Sequence, residues 1–170
     1  DYVDSITFGS TSTYRLAQDV LTYNGSNQLT QKVYKESSAG GGTLEDEERF
    51  LFTWSGGRVS EIEEQNWDGS VWEADELQTL TYDANGNLTE KTNQFWNGSS
   101  WQNDDKDVFT FDAQDRMASR ADYVDTSGTW DAEDRTTYAY INSTSSTFDY
   151  WVEEAGDGTT WSNDMRWEAF

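Results

Sequence analysis

WEADELQTLTYDANGNLTEKTNQFWNGSSW, residues 72–101, is the stretch whose reading decides the fold. It holds two clusters of turn-forming residues, Asp-Ala-Asn-Gly at 83–86 and Asn-Gly-Ser-Ser at 97–100, set between runs that end in aromatic rings. Asn and Gly supply the positive φ that tight hairpins require. The stretch therefore reads as strand, turn, strand, turn.

Working outward, the same pattern recurs along the chain, a signal that takes precedence over local propensity. Trp72, Trp101 and Trp130 are spaced by 29 and 29, and Trp161 follows after 31. Tyr82, Phe111 and Tyr140 keep the same interval, each ten residues after its tryptophan. Leu44 and Trp54 hold these two places in an earlier copy, and Tyr14 with Tyr23 begin a still earlier one. One class of turn reads LTYNGSNQLTQ from Leu21, LFTWSGGRVSE from Leu51, LTYDANGNLTE from Leu80, FTFDAQDRMAS from Phe109 and YAYINSTSSTF from Tyr138. A second class reads WDGSVW at Trp67, WNGSSW at Trp96 and VDTSGTW at Val124. The chain divides into units 1–20 (partial), 21–50, 51–79, 80–108, 109–137 and 138–170, each a β-hairpin. No proline or long linker interrupts them; Ser37–Gly42 is a small expansion of one loop. We expect an all-β domain over 1–170, an antiparallel meander of about eleven strands whose sheet is a single layer or curls on itself, each hairpin burying surface only against its neighbours.

A period of two places Trp72, Ala74, Glu76, Gln78, Leu80 and Tyr82 on one side of a strand, with copies Trp101, Asn103, Asp105, Asp107, Phe109, Phe111 and Trp130, Ala132, Asp134, Thr136, Tyr138, Tyr140. Neither side is apolar throughout. The expected core is a thin stripe under the turns, where the rings cluster.

Composition narrows the function classes. The 170 residues carry 33 acids, 11 bases and no histidine, a net charge of -22. Nucleic acid and anionic membrane surfaces would both be repelled. Leu, Ile, Val and Phe total only 27, a level that with this charge ordinarily signals disorder, but 9 Trp, 9 Tyr and 8 Phe supply the missing apolar surface. Without cysteine or histidine, disulfides, thiolate metal sites, serine triads and zinc hydrolysis are not available, which leaves only carboxylate chemistry. No run approaches the roughly 20 apolar residues of a membrane span. The chain begins at Asp1, without methionine, and is read as a piece of something longer.

Leu80-Thr-Tyr-Asp-Ala-Asn-Gly-Asn-Leu-Thr-Glu90 resembles the YD, or Rhs-type, repeat, whose core is a Tyr-Asp followed by a Gly-containing turn and a Leu-Thr strand start. Phe111-Asp112 with Arg116-Met117, and Tyr23-Asn24 with Leu29-Thr30, look like drifted versions of that core. The likeness covers about a third of each unit. It implies an extracellular or cell-surface bacterial protein built of stacked hairpins, and it carries over no catalytic residue.

Three sets of residues are candidates for chemistry. The column Trp72, Trp101, Trp130 and Trp161, with Trp67 and Trp96 across the intervening turns, could stack on the rings of a polysaccharide; the same rings would equally serve as cross-strand packing. Asp83, Asn85, Asn87 and Glu90 offer oxygen ligands around Gly86, but lack the spacing of a calcium loop, so at most weak, diffuse calcium binding and no other cofactor are expected. Glu76 and Asp105 could form a glycosidase pair, although a sheet offers no cleft for them. The acidic column Glu48, Glu76, Asp105, Asp134 reads better as a solvated face partly neutralised by Lys32, Lys91 and Arg120. The sequons at Asn24, Asn87, Asn97 and Asn142 receive no role.

These residues point to a non-enzymatic extracellular segment of a secreted bacterial surface protein, acting as scaffold, stalk or adhesive surface, with a carbohydrate-binding module built on the tryptophans as the alternative. The partner would be a polysaccharide or a surface protein, with no membrane insertion. In Trp161–Phe170 the acidic column gives way to Met165 and Trp167, which leaves that terminal strand suited to edge-to-edge self-association.

Overall fold

A computed structural model of the chain describes residues 15–38, 42–140 and 148–168. All regular structure among them is strand: β1 (Ala17–Tyr23), β2 (Leu29–Ser37), β3 (Leu44–Ser55), β4 (Arg58–Trp67), β5 (Trp72–Tyr82), β6 (Leu88–Trp96), β7 (Trp101–Phe111), β8 (Met117–Asp125), β9 (Trp130–Tyr140), β10 (Phe148–Gly158) and β11 (Trp161–Glu168). They form one antiparallel sheet in sequence order, the meander that the repeat predicts. By contacts, residues 1–77 and 78–170 make up two compact units, with the division falling inside β5. Tyr14, Asn142, the side chains of Met165 and Trp167, and Phe170 lie outside the described residues.

Most of the described turns of both classes are held by versions of one device; Ser55–Arg58 instead turns on Gly56 and Gly57, both at positive φ (58° and 81°). At Asp83 one carboxylate oxygen accepts from the backbone N–H groups of Asn85, Gly86 and Asn87 at 2.9, 2.8 and 2.9 Å. Asn24 accepts in the same way from Ser26 and Gln28, and Asp112 from Gln114 and Arg116. The fourth residue of each turn, Asn27, Gly86 or Asp115, takes positive φ (59°, 98° and 58°), a conformation that Asn, Asp and Gly tolerate best. In the second class Asp68, Asn97 and Asp157 each accept from the two N–H groups that follow two and three residues later.

Just past the Asn24 and Ser55–Arg58 turns, the ladder with the preceding strand skips Thr30 on β2 and Ser60 on β4. Their hydroxyls donate to the carbonyls of Thr22 and Thr53, and Thr89 donates likewise to Thr81. This accounts for the hydroxyl residue, Thr30, Ser60 or Thr89, that follows Leu29, Val59 or Leu88 after these turns. At the equivalent skip on β8, Ala118 has no hydroxyl to give.

A second bulge corrects the simple alternation. The ladders skip Glu47 on β3, Glu133 on β9 and Asp164 on β11, and on β7 Asp104 and Asp105 together face the single Asn93. An extra residue shifts every later side chain to the other face. Trp101 thus shares its face with Asn103, Lys106 and Val108, and Trp130 shares its face with Ala132, Arg135 and Thr137. Asp105, Asp107 and Phe111 on β7, and Asp134 on β9, turn the other way.

The core is thin and only part of it lies under the turns. Among the described residues the buried apolar ones are Val33 and Ala121 in mid-strand and Ala132 just past the 126–129 turn, at 6–7% exposure and all on the tryptophan face. Val33 pairs with Arg49, and Ala121 with Arg135, so the small side chains lie beside the long stems of cations.

Candidate functional site

Trp67 and Trp72 flank one hairpin turn with ring centroids 5.1 Å apart, and Trp96 and Trp101 flank the next at 5.2 Å. Both pairs have the tilted or edge-on geometry that aromatic quadrupoles prefer. In the third hairpin of this class Asp125 stands where Trp67 and Trp96 stand, and pairs with Trp130 across the ladder.

Each of three column tryptophans also lies under a cation from an earlier strand. Arg49 sits 4.6 Å from the centroid of Trp72, Lys106 4.8 Å from Trp130, and Arg135 5.0 Å from Trp161. Lys106 also lies over Tyr123 at 5.3 Å, and Tyr123 meets Trp161 edge-on at 5.8 Å. The bulges make this possible, since without them Lys106 and Arg135 would face away from the rings. Leu77 occupies the corresponding place ahead of Trp101, 24 residues before it as Lys106 is before Trp130. At the other end of the strands, Trp54 Nε1 donates to the Leu29 carbonyl (2.7 Å) and the Tyr140 hydroxyl to the Met117 carbonyl (2.8 Å), each reaching back to the preceding hairpin.

Carboxylates gather on the opposite face. Asp107, 7% exposed, receives Lys91 at 3.0 Å and Arg120 at 2.8 Å, and pairs across the ladder with Asp122, which Arg120 also contacts at 3.0 Å. Burial opposes ionisation of Asp107, but hydrogen bonds from Asp122, Lys91 and Arg120 outweigh it and hold the group at about 2. Burial and the bond to Asp107 push Asp122 up to about 6. The repeat-equivalent Glu64 is raised to about 7 by burial and by its bond to Glu48, with Glu76 and Asp75 adding repulsion. In each pair one carboxyl therefore titrates above the ordinary carboxylate range.

The acidic column is thus less uniform than the sequence suggests. Glu76 and Asp134 are exposed, Glu48 and Asp105 half-buried, and Asp105 accepts from the Asn93 amide at 2.7 Å. The bases expected to neutralise the column go elsewhere: Lys32 to Asp19, Lys91 to Asp107, Arg120 to Asp107 and Asp122.

Of the calcium candidates, Asp83 spends its oxygens on its own turn. Asn85 and Asn87 donate through Nδ2 to Asp115 of the neighbouring turn at 2.7 and 3.0 Å, and Glu90 pairs with Lys106 at 3.8 Å. Asn87 Nδ2 also donates to Asp83 Oδ2 at 3.0 Å, so these amides and carboxylates bond one another within and between the two turns.

Arg49, Lys106, Arg135, Asp107, Asp122 and Glu64 were not singled out from the sequence. The 29-residue interval between Lys106 and Arg135, and between Glu64, Asn93 and Asp122, was the available signal.

No family model matches the chain, and no curated protein matches it. Among solved structures, the chain is similar to a Bacteroides fragilis protein of unknown function at 14% identity and a TM-score of 0.56, over 72% of this chain and 92% of that one. It is also similar to a DUF3836 family protein from Parabacteroides distasonis (20% identity, TM-score 0.41, 54% and 88% covered). A porin-like protein from Bacteroides uniformis gives 16% identity and a TM-score of 0.41, over 92% of this chain and 55% of that one. The first of these likenesses extends to the fold and no further.

Proposed function

We propose that the chain is a non-enzymatic extracellular scaffold, a β-repeat stalk or adhesive segment of a secreted bacterial surface protein. The observation that carries this reading is the use each hairpin makes of its repeated side chains. The rings of Trp72, Trp130 and Trp161 are covered by cations of earlier strands, and Trp54 and Tyr140 anchor to carbonyls of the preceding hairpin. At these positions the repeated residues are committed to a neighbouring copy, as an array requires. The likeness of Tyr82-Asp83 and its copies to YD-type repeats supports the location, and the charge of -22 supports a surface bathed in solvent. No described helix is long and apolar enough to cross a membrane. In strand order β11 has β10 as its one partner, which leaves an edge for a further repeat or a second copy.

A double-mutant cycle on Lys106→Met and Trp130→Ala tests the architectural role. Coupling between the two on melting, of roughly 0.5–2 kcal/mol, is expected for a cation over a ring. Two substitutions that leave stability untouched would contradict it. Protease treatment of intact source cells tests location, since a surface segment is cleaved there and an internal one is spared.

A further inference from the structure

Between the turns at 97–100 and 126–129 lies an open recess of about 730 Å³. It is lined by the rings of Phe95 and Trp101, the amides of Gln94, Gln102 and Asn103, and the carboxylate of Asp125. A fork that the repeat shares, since the ladder between β3 and β4 ends at the equivalent pair of Glu48 with Asn66, and one departure from the repeat create it. The ladder between β7 and β8 ends at Asp105 with Val124, so the start of β7 and the end of β8 part like a fork. At the mouth of the fork Asp125 replaces the tryptophan of the two preceding hairpins, and a carboxylate fills far less space than an indole.

We propose that this recess binds a neutral polysaccharide, a glucan whose pyranose ring stacks on an aromatic wall while its hydroxyls bond the amides. The volume falls within the range of small-ligand sites. Leu77 stands where other copies place a cation over the ring, so that place brings no charge to Trp101. Phe95 and Gln102 face the other side of the sheet, so the stacking surface is the ring of Trp101, with Gln94 and Asn103 on its own face. The amides are already oriented: Gln94 donates to Asn103 Oδ1 at 2.9 Å, and Gln102 donates to Ser100 Oγ and the Trp101 carbonyl, both at 2.9 Å. On the face of Trp101 the Gln94 carbonyl is left to accept from sugar hydroxyls, and Asn103 Nδ2 to donate. Asp125 takes Gly128 N–H on one oxygen and its other oxygen is shut off from solvent, so it shapes the recess rather than bonding the ligand. No base lines the recess, and Asp104 adds a second carboxylate, so uronates and phosphates are repelled and a neutral ligand is selected. The site goes beyond the scaffold reading, because it depends on what one copy lacks rather than on what all copies share.

Titration of the whole chain with cellohexaose and with maltohexaose, followed by tryptophan fluorescence and calorimetry, tests this. Saturable binding of at least one is expected, with polygalacturonate inert. Trp101→Ala should weaken binding about tenfold or more. Asp125→Trp, which restores the ring of the neighbouring hairpins, should abolish it while the far-UV spectrum is kept. Phe95→Ala, on the other face, is the control and should leave binding unchanged, and Asp125→Trp remains decisive if Trp101→Ala fails to fold. Absence of saturable binding to both glucans overturns the proposal. So does binding that survives Asp125→Trp, or equal binding of polygalacturonate. None of these outcomes touches the scaffold reading, which rests on the coupling of Lys106 to Trp130.

Discussion

Asp83 illustrates how one side chain sets a turn. Hydrogen bonding from the Asn87 side chain, then from backbone N–H groups, holds its carboxyl below the usual range. Asp83→Ala leaves three N–H groups without their acceptor and should lower the melting temperature clearly. Asp83→Asn should cost less, because Asn24 performs the same task in the first turn. Equal losses for the two variants would contradict the assignment. The proton-sharing pairs make a separate prediction. Glu64 at about 7 and Asp122 at about 6 hold protons that the unfolded chain gives up near the ordinary 4.5 and 3.8, so stability rises as pH falls from about 7 toward 4.5. Asp107 at about 2 works the other way, and the stability it provides is lost as pH falls from about 4 to 2. Melting followed across pH should therefore peak between about 4 and 5, whereas a maximum at pH 7 or above would refute the paired carboxyls. The turn residues were legible in the sequence because their chemistry is local, but the carboxyl pairs were not, since their partners lie on other strands.

At the scale of elements, the strands and both turn classes follow from the 29-residue interval, and the Trp67–Trp72 and Trp96–Trp101 pairs flank the turns that the sequence marks. The face carried by each side chain did not follow. Strict alternation groups Trp101 with Asp105 and Phe111, whereas the bulge at Asp104–Asp105 places Lys106 beside Trp101 and sends Phe111 to the other face. An acidic residue skipped in a ladder looks, in sequence, like any other charge in a strand. Close packing of β9 on β10 depends on another local feature. A Cβ on Gly156 would fall 2.1 Å from the Ala132 carbonyl oxygen, whereas one on Gly25 would meet nothing within 4 Å. Gly156→Ala must separate the two strands and should cost about 1–3 kcal/mol in denaturant unfolding, with Gly25→Ala nearly silent. A tolerated Gly156→Ala would show that the strands do not approach so closely.

For the whole molecule, charge and connectivity set the behaviour. With 33 acids against 11 bases, repulsion opposes the folded state, and its screening should raise the melting temperature between about 10 mM and 500 mM salt. An unchanged melting temperature would mean that the exposed acids contribute little. The most direct test of the central claim, that each hairpin is held by its neighbours rather than by a common core, is to end the chain after Tyr140. This removes β10 and β11, and with them the stack of Arg135 on Trp161, the Tyr123–Trp161 contact and the Arg135–Glu154 ion pair at 2.6 Å. Far-UV circular dichroism with thermal melting is the measurement. The nearest-neighbour account predicts a shortened chain that keeps its β-sheet spectrum at low temperature and melts lower than the full chain. A shortened chain that is unfolded throughout, beside a full chain that melts in one sharp high-temperature transition, would contradict it.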